Sequence, residues 1–184
     1  MELGTLPKIY PITDTRLTSL SHAEQVEKLS DGGTRFIQLR EKYASPRDFY
    51  EDAKSAIEIA RRNGVKIIIN DRVDIALALK ADGVHLGQDD LPPAKARQIL
   101  GEKAIIGFST QTKENPDETV GLEGVKTVRE AIGDFPLVAI GGITPENFQA
   151  VFEAGADSLA IIKAVLFPPH KIEENLHSFL STLP

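Results

Sequence analysis

Several short stretches of this 184-residue chain concentrate side chains able to do chemistry. In Gln38-Leu39-Arg40-Glu41-Lys42, the alternation of an extended segment sends Gln38, Arg40 and, while the chain stays extended, Lys42 to one side. An amide, a guanidinium fork and an ammonium on one side can hold a diphosphate. Asn70-Asp71 and Gly87-Gln88-Asp89-Asp90 end two later apolar runs. Two carboxylates from neighbouring strand ends, Asp71 with Asp90 or Asp89, suit Mg²⁺, which takes one or two carboxylates and fills its shell with water and phosphate oxygens. Gly107-Phe108-Ser109-Thr110 supplies hydroxyls for a polar ring. Ile140-Gly141-Gly142-Ile143 and Ile161-Ile162-Lys163 place bare backbone ahead of helix starts, the usual phosphate site of the last two loops in a parallel barrel.

Each stretch also has a plainer reading. The basic string makes a solvated loop, Asp71 and Asp90 cap helices beginning near Val73 and Pro92, Ser109 ends a strand with a turn, and Gly141-Gly142 is a tight turn. Only the combination, with every group at the end of an apolar run, favours a site. The histidines add little: His85 reads as a hydrogen-bonded core residue, His22 lies near a helix start, and His170 and His177 belong to the C-terminal helical region. No spacing resembles a metal motif. Phe148 and Phe152 form one apolar helix stripe.

The elements that must position these groups alternate between short apolar runs and longer helical stretches, the pattern of repeated βα units. Seven runs are predicted strands: residues 9–13, 35–40, 65–70, 83–86, 104–109, 137–140 and 158–162. Ser45-Pro46 and Thr144-Pro145 predict helix starts, with a capping side chain ahead of proline at the first position. Glycines at 32–33, 64, 101 and 155 close helices. The strings Lys80-Ala81-Asp82-Gly83-Val84 and Ala154-Gly155-Ala156-Asp157-Ser158 look like one joint used twice. Short connections favour a single (β/α) barrel domain over 1–184 above an open doubly wound sheet, and no Gly-x-Gly-x-x-Gly follows a strand.

Composition narrows the partners. With 41% hydrophobic and 26% charged residues the chain is ordinary globular protein, and the absence of cysteine excludes disulfides and thiolate metal sites. A net charge of −6 without a basic cluster argues against nucleic acid. No apolar run reaches the roughly 20 residues that span a bilayer, and residues 1–10 lack signal-peptide character. The expectation is a cytoplasmic protein with phosphorylated small-molecule partners, its oligomeric state open and a homo-oligomer included. One stretch does not fit: residues 110–124 contain only Val120 and Leu122 as apolar side chains and show neither helical stripe nor strand.

The strings Gln38-Leu39-Arg40-Glu41-Lys42, Ile69-Asn70-Asp71-Arg72-Val73-Asp74-Ile75-Ala76, Gly83-Val84-His85-Leu86-Gly87-Gln88-Asp89-Asp90-Leu91-Pro92 and Ala139-Ile140-Gly141-Gly142-Ile143 together resemble the thiamine-phosphate synthase family. The resemblance covers nearly the whole chain, and its first three strings are specific to that family. It implies a (β/α)₈ TIM barrel that joins hydroxymethylpyrimidine diphosphate to thiazole phosphate, releases diphosphate and needs Mg²⁺. It puts the pyrimidine diphosphate on Gln38, Leu39, Arg40, Glu41, Lys42 and Asn70, the metal on Asp71 and Asp90, and the pyrimidine ring at Ser109. The backbone of Gly142, Ile162 and Lys163 would take the thiazole phosphate. Arg40, Lys42 and Ser109 are the catalytic candidates.

Three departures accompany it. Gln111 stands where the family usually has His, and Lys163 where it usually has Ser. The third is larger: the family's helix, sixth strand and Thr-x-Thr-Lys loop, expected between Ser109 and the Gly121-Leu122-Glu123-Gly124 helix, have no counterpart. A barrel of this type usually runs to about 200 residues or more. The favoured expectation is a gap in the chain near Glu118 and Thr119, since a real internal deletion would expose two strand edges. A genuine deletion, leaving a non-catalytic phosphate-binding relic, is the competing expectation. A thiazole tautomerase-like isomerase is a third, against which the Gln38/Arg40/Lys42 set and the Asp71/Asp90 pair both argue.

Overall fold

A computed structural model of the protein describes residues 6–109 and 120–183. Strands and helices alternate as β1 (Ile9–Pro11), α1 (Thr15–Thr18), α2 (His22–Asp31), β2 (Phe36–Leu39), α3 (Pro46–Arg62), β3 (Lys66–Asn70), α4 (Val73–Leu79), β4 (Gly83–Leu86), α5 (Pro93–Leu100) and β5 (Ile105–Phe108). After residues 110–119 follow α6 (Gly121–Ile132), β6 (Val138–Ile140), α7 (Phe148–Glu153), β7 (Ser158–Ile161), α8 (Lys163–Leu166) and α9 (Ile172–Ser181). Every predicted strand is present, the fourth over the expected residues and the others one or two residues shorter. All pairings are parallel, as helical crossovers require.

The strands run in one arc. β6, β7 and β1 pair in that order, as do β2, β3, β4 and β5. The two sets join where Ile12 bridges to Gln38 and the Thr13 N–H donates to the Gln38 carbonyl at 2.9 Å. Alternation along each strand then sorts side chains into two layers. Tyr10, Ile12, Phe36, Ile68 and Ala160 fill the concave side. Ile9, Ile37, Leu39, Ile67, Ile69, Leu86 and Leu159 face outward and pack with helix residues such as Val26, Phe49, Ile57 and Leu176. Each fully buried aliphatic side chain contributes about 1.5–3 kcal/mol, so this outer layer fixes which residues remain for the inside.

Local signals explain the joints. Ser45 caps α3 by accepting the Asp48 N–H at 3.1 Å, with Pro46 at the first position as expected. Thr144-Pro145 starts no helix: Asn147 Oδ1 takes the Thr144 N–H at 2.9 Å, closing a turn, and α7 begins only at Phe148. The repeated joint is real. Asp82 exchanges two bonds with Ile67, its N–H donating at 3.0 Å and its Oδ2 accepting at 2.8 Å. Asp157 does the same with Leu137, both at 2.8 Å.

Burial falls away at both ends of the arc. Phe108 on β5 is 44% exposed and Ile140 on β6 is 56% exposed, whereas β2 and β7 are buried throughout. Helix α6 buries no residue at all. Among the described residues, neither β5 nor β6 has a strand on its outer side. These two edges flank the position expected to lack a sixth strand and its helix. The junction of Glu118 with Thr119, and Gln111, lie outside the described residues.

Candidate active site

Parallel barrels place their chemistry at the carboxyl ends of the strands, where loops converge. Here β2, β3 and β4 lie side by side, so the groups that follow them meet. The Lys42 ammonium contacts Asp71 Oδ2 directly. Asp71 and Asp90 are in turn within hydrogen-bonding reach of each other, and Asp90 Oδ2 also accepts the Gly87 N–H at 2.7 Å. Burial pushes the Asp90 carboxyl up and the Asp71 carboxylate beside it pushes further, against the opposing pull of Gly87 N–H and Lys42.

Neither aspartate caps a helix, because α4 begins after Arg72 and α5 after Pro92 without side-chain caps. Asp71 instead holds a left-handed backbone, φ 62°, while its N–H donates to the His85 carbonyl at 2.8 Å. Asp is one of the few residues that tolerate this conformation. The strand end thereby turns its carboxylate over β4.

The 38–42 string divides by parity. Gln38 is buried on the concave side of β2, next along from Phe36. Arg40 follows on the same side, its N–H donating to Thr13 Oγ1 at 3.3 Å and its guanidinium 3.5 Å from Asp14 Oδ2. Leu39 and Glu41 turn their side chains away from the mouth. Leu39 is fully buried in the outer layer. Glu41 turns its carboxylate back under the loop, accepting the Tyr43 and Ala44 N–H groups at 2.7 and 3.1 Å and the Thr15 hydroxyl at 3.0 Å.

Asn70, buried at the end of β3, pairs in register with His85. His85 Nε2 lies 2.9 Å from Ser109 Oγ. Burial lowers the His85 pKa despite the nearby Asp71 and Asp90, which favours a neutral imidazole. His85 therefore belongs to the mouth and is not the plain core residue expected. A Cβ on Gly107 would come 2.5 Å from His85 Nδ1, so the glycine makes the room the ring occupies. That glycine, opposite a strand histidine on the same face, is the signal that sequence reading passed over. Asp14 and Thr13, at the end of the first strand, were legible in the same way.

On the other side of the mouth, Gly141 and Gly142 take φ of 96° and 64°. Asn147 Nδ2 donates to the Gly142 carbonyl at 2.8 Å, which folds the loop toward α7. Because β6 pairs with β7, this loop lies beside Ile162 and Lys163, the residues at the start of α8. The structure thus forms two groups: an acid–base cluster of Lys42, Asp71, Asp90, His85 and Ser109 with Arg40 nearby, and a glycine-rich backbone loop across the arc. Among the described residues no helix is long and apolar enough to cross a membrane.

The comparisons with known proteins agree with this geometry. A family model described as thiamine monophosphate synthase matches residues 9–114 and 108–165, two segments that overlap where β5 ends. The thiamine-phosphate synthase of Clostridium novyi is 42% identical over 185 residues, covering 86% of this chain and 90% of the relative. That of Chloroflexus aurantiacus is 39% identical over 184 residues, covering 86% and 85%. Since 185 aligned positions take in only 86% of the 184 residues here, the Clostridium relative carries residues with no counterpart in this chain. The solved thiamine phosphate pyrophosphorylase of Pyrococcus furiosus superposes with a TM-score of 0.83 at 32% identity, covering 95% of this chain and 94% of its own. With the fold, the strand-end cluster and these relatives in agreement, the chain belongs to the thiamine monophosphate synthase family.

Proposed function

We propose that this mouth makes thiamine phosphate by joining a hydroxymethylpyrimidine diphosphate to a thiazole phosphate. The observation that carries the reading is the Lys42–Asp71–Asp90 cluster, which sets an ammonium and two carboxylates beside the Gln38 and Arg40 strand end. Gln38, Arg40, Lys42 and Asn70 bind the diphosphate, Ser109 the pyrimidine ring, and the backbone of Gly142, Ile162 and Lys163 the thiazole phosphate.

Two touching carboxylates, one pushed toward its protonated form, fit a hard divalent cation well. Asp71 and Asp90 would hold Mg²⁺, which when bound would neutralise charge on the diphosphate leaving group. Arg40 and Lys42 orient that group and stabilise the negative charge it gains as the carbon–oxygen bond breaks. The neutral His85 fixes the Ser109 hydroxyl, so the ring is held by a positioned donor or acceptor. As diphosphate leaves with the electron pair of the carbon–oxygen bond, the thiazole ring nitrogen forms the new bond to the methylene carbon, and holding both substrates in one mouth supplies the remaining advantage without a strong base. The setting of the reaction is cytoplasmic.

The test is formation of thiamine phosphate, followed by mass spectrometry, from the two substrates with Mg²⁺ and again with EDTA. Product that disappears with EDTA supports the reading. A second reading rests on the two strand edges without a partner among the described residues and on the residues that relatives carry in addition. If a βα unit is truly deleted, the chain is a phosphate-binding relic. Thiazole phosphate binding in calorimetry without turnover favours that reading.

A further inference from the structure

Behind the Arg40–Lys42 loop, on the helix side of β2, lies a polar network that the reaction does not touch. His22, the first residue of α2, is 1% exposed. Its Nδ1 is 2.7 Å from Thr13 Oγ1. Its Nε2 lies 3.5 Å from Glu41 Oε2 and, buried, has no partner in hydrogen-bonding geometry among the described residues. The carboxylate settles the tautomer: a ring nitrogen facing a negative oxygen carries the proton, which leaves Nδ1 as an acceptor. The Thr13 hydroxyl has one proton and two acceptors in reach, Nδ1 at 2.7 Å and the Gln38 carbonyl at 3.3 Å; with Nδ1 unprotonated the shorter contact takes it, while the hydroxyl oxygen accepts the Arg40 N–H at 3.3 Å.

The network continues across the 3.5 Å approach of Nε2 to Glu41, an electrostatic contact rather than a hydrogen bond. Its carboxylate gathers the N–H groups of Tyr43 and Ala44, on the far side of Lys42, together with the Thr15 hydroxyl. Asp52 accepts the N–H groups of His22 and Ala23 at 2.9 and 3.2 Å, and the imidazole rests against Phe49 with ring centroids 5.5 Å apart. The backbone on both sides of Lys42, and of Arg40 itself, is thus tied to one buried ring held from three directions.

We infer that His22 is a positioning residue for the synthase reaction, setting the aim of Arg40 and Lys42 by holding Thr13 and Glu41 from outside the barrel. The inference rests on the assignment of Arg40 and Lys42 to the diphosphate. A network of this kind acts as the outer shell does at metal sites, where loss of one supporting partner costs about 10–100-fold in affinity or activity.

The test uses calorimetric titration of the whole chain with inorganic diphosphate and Mg²⁺, run beside a titration with thiazole phosphate. His22→Phe keeps ring volume and removes both nitrogens, while His22→Asn returns an acceptor near the place of Nδ1. The expected result is diphosphate binding weakened about tenfold or more in His22→Phe, partial recovery in His22→Asn, and unchanged thiazole phosphate binding. Arg40→Ala separates the two layers of the argument. If Arg40→Ala weakens diphosphate and His22→Phe does not, the positioning role falls and the assignment of the grip stands. Should Arg40→Ala leave diphosphate binding intact, the assignment falls and takes the inference with it. Equal weakening of both ligands in His22→Phe shows general disruption and overturns the inference. If His22→Phe does not fold, Thr13→Val breaks one link with the ring in place and is read by the same two titrations against the same expectations.

Discussion

Replacing Gly107 with alanine strikes the contact that seats His85. An added Cβ meets His85 Nδ1 at 2.5 Å, where ordinary van der Waals contact begins near 3.4 Å, so almost an ångström must be found. Among the described residues β5 is an edge strand, but it is held to β4 over four register pairs, and the imidazole is the part that can swing. Its departure costs the 2.9 Å contact with Ser109 Oγ, about 0.5–1.5 kcal/mol. Overpacking adds about 1–3 kcal/mol where the ring cannot clear. The expected total is about 1.5–4.5 kcal/mol where both terms act, with the midpoint of thermal unfolding falling by roughly 2–4 °C per kcal/mol for a chain of this size. Urea unfolding of Gly107→Ala, His85→Ala and the double variant measures it. If the clash is with His85, the double variant is more stable than the sum of the singles predicts, by about 0.5–3 kcal/mol. Additivity within about 0.5 kcal/mol would refute the reasoning.

Lys42 shares Asp71 with the cation site, so Lys42→Met is expected to tighten Mg²⁺ binding a few-fold in the absence of diphosphate and to weaken diphosphate binding; calorimetry of each ligand separates the two effects. Asp82→Ala leaves the Ile67 N–H without its 2.8 Å acceptor and is expected to cost about 1–3 kcal/mol in a urea melt, while Asp82→Asn costs less. Burial holds His22 below its ordinary pKa, against the opposing charges of Asp52, Glu41 and Asp14. A base depressed in the folded state stabilises above its unfolded value of about 6.5 and loses that contribution as pH falls through the folded one. The wild-type urea midpoint should therefore drop more steeply on acidification below about pH 6.5 than that of His22→Asn.

The strands were legible because Val/Ile/Leu runs bounded by glycine leave little choice of where the strands of a parallel sheet fall. The reciprocal Asp82 and Asp157 joint was readable from two five-residue strings because each performs the same backbone exchange. The site was half readable. Parity points Gln38, Arg40 and Lys42 to one side, and the side chains of Leu39 and Glu41 between them serve the outer layer and the loop. His85 was set aside because a histidine in a strand ordinarily satisfies itself in the core, and only the glycine facing it shows otherwise. Thr144 opens a turn ahead of the helix: its carbonyl accepts the Asn147 and Phe148 N–H groups at 3.2 and 3.1 Å, and α7 itself begins at Phe148 without a side-chain cap. The exposure of α6 leaves no mark in its own residues, since an apolar stripe reads the same whether or not a neighbour covers it.

The left-handed backbone of Asp71 narrows what selection or an experimenter can write at that position. Glycine and asparagine join aspartate as residues that adopt such a φ readily, while alanine or glutamate strain the chain before any charge effect is felt. Asp71→Asn thus isolates the charge, and Asp71→Gly isolates the side chain. Asp71→Ala mixes lost chemistry with a shifted β3–α4 turn, and Asp71→Glu keeps its charge while misplacing it. A geometric rule in the main chain here restricts the chemical alphabet of the site.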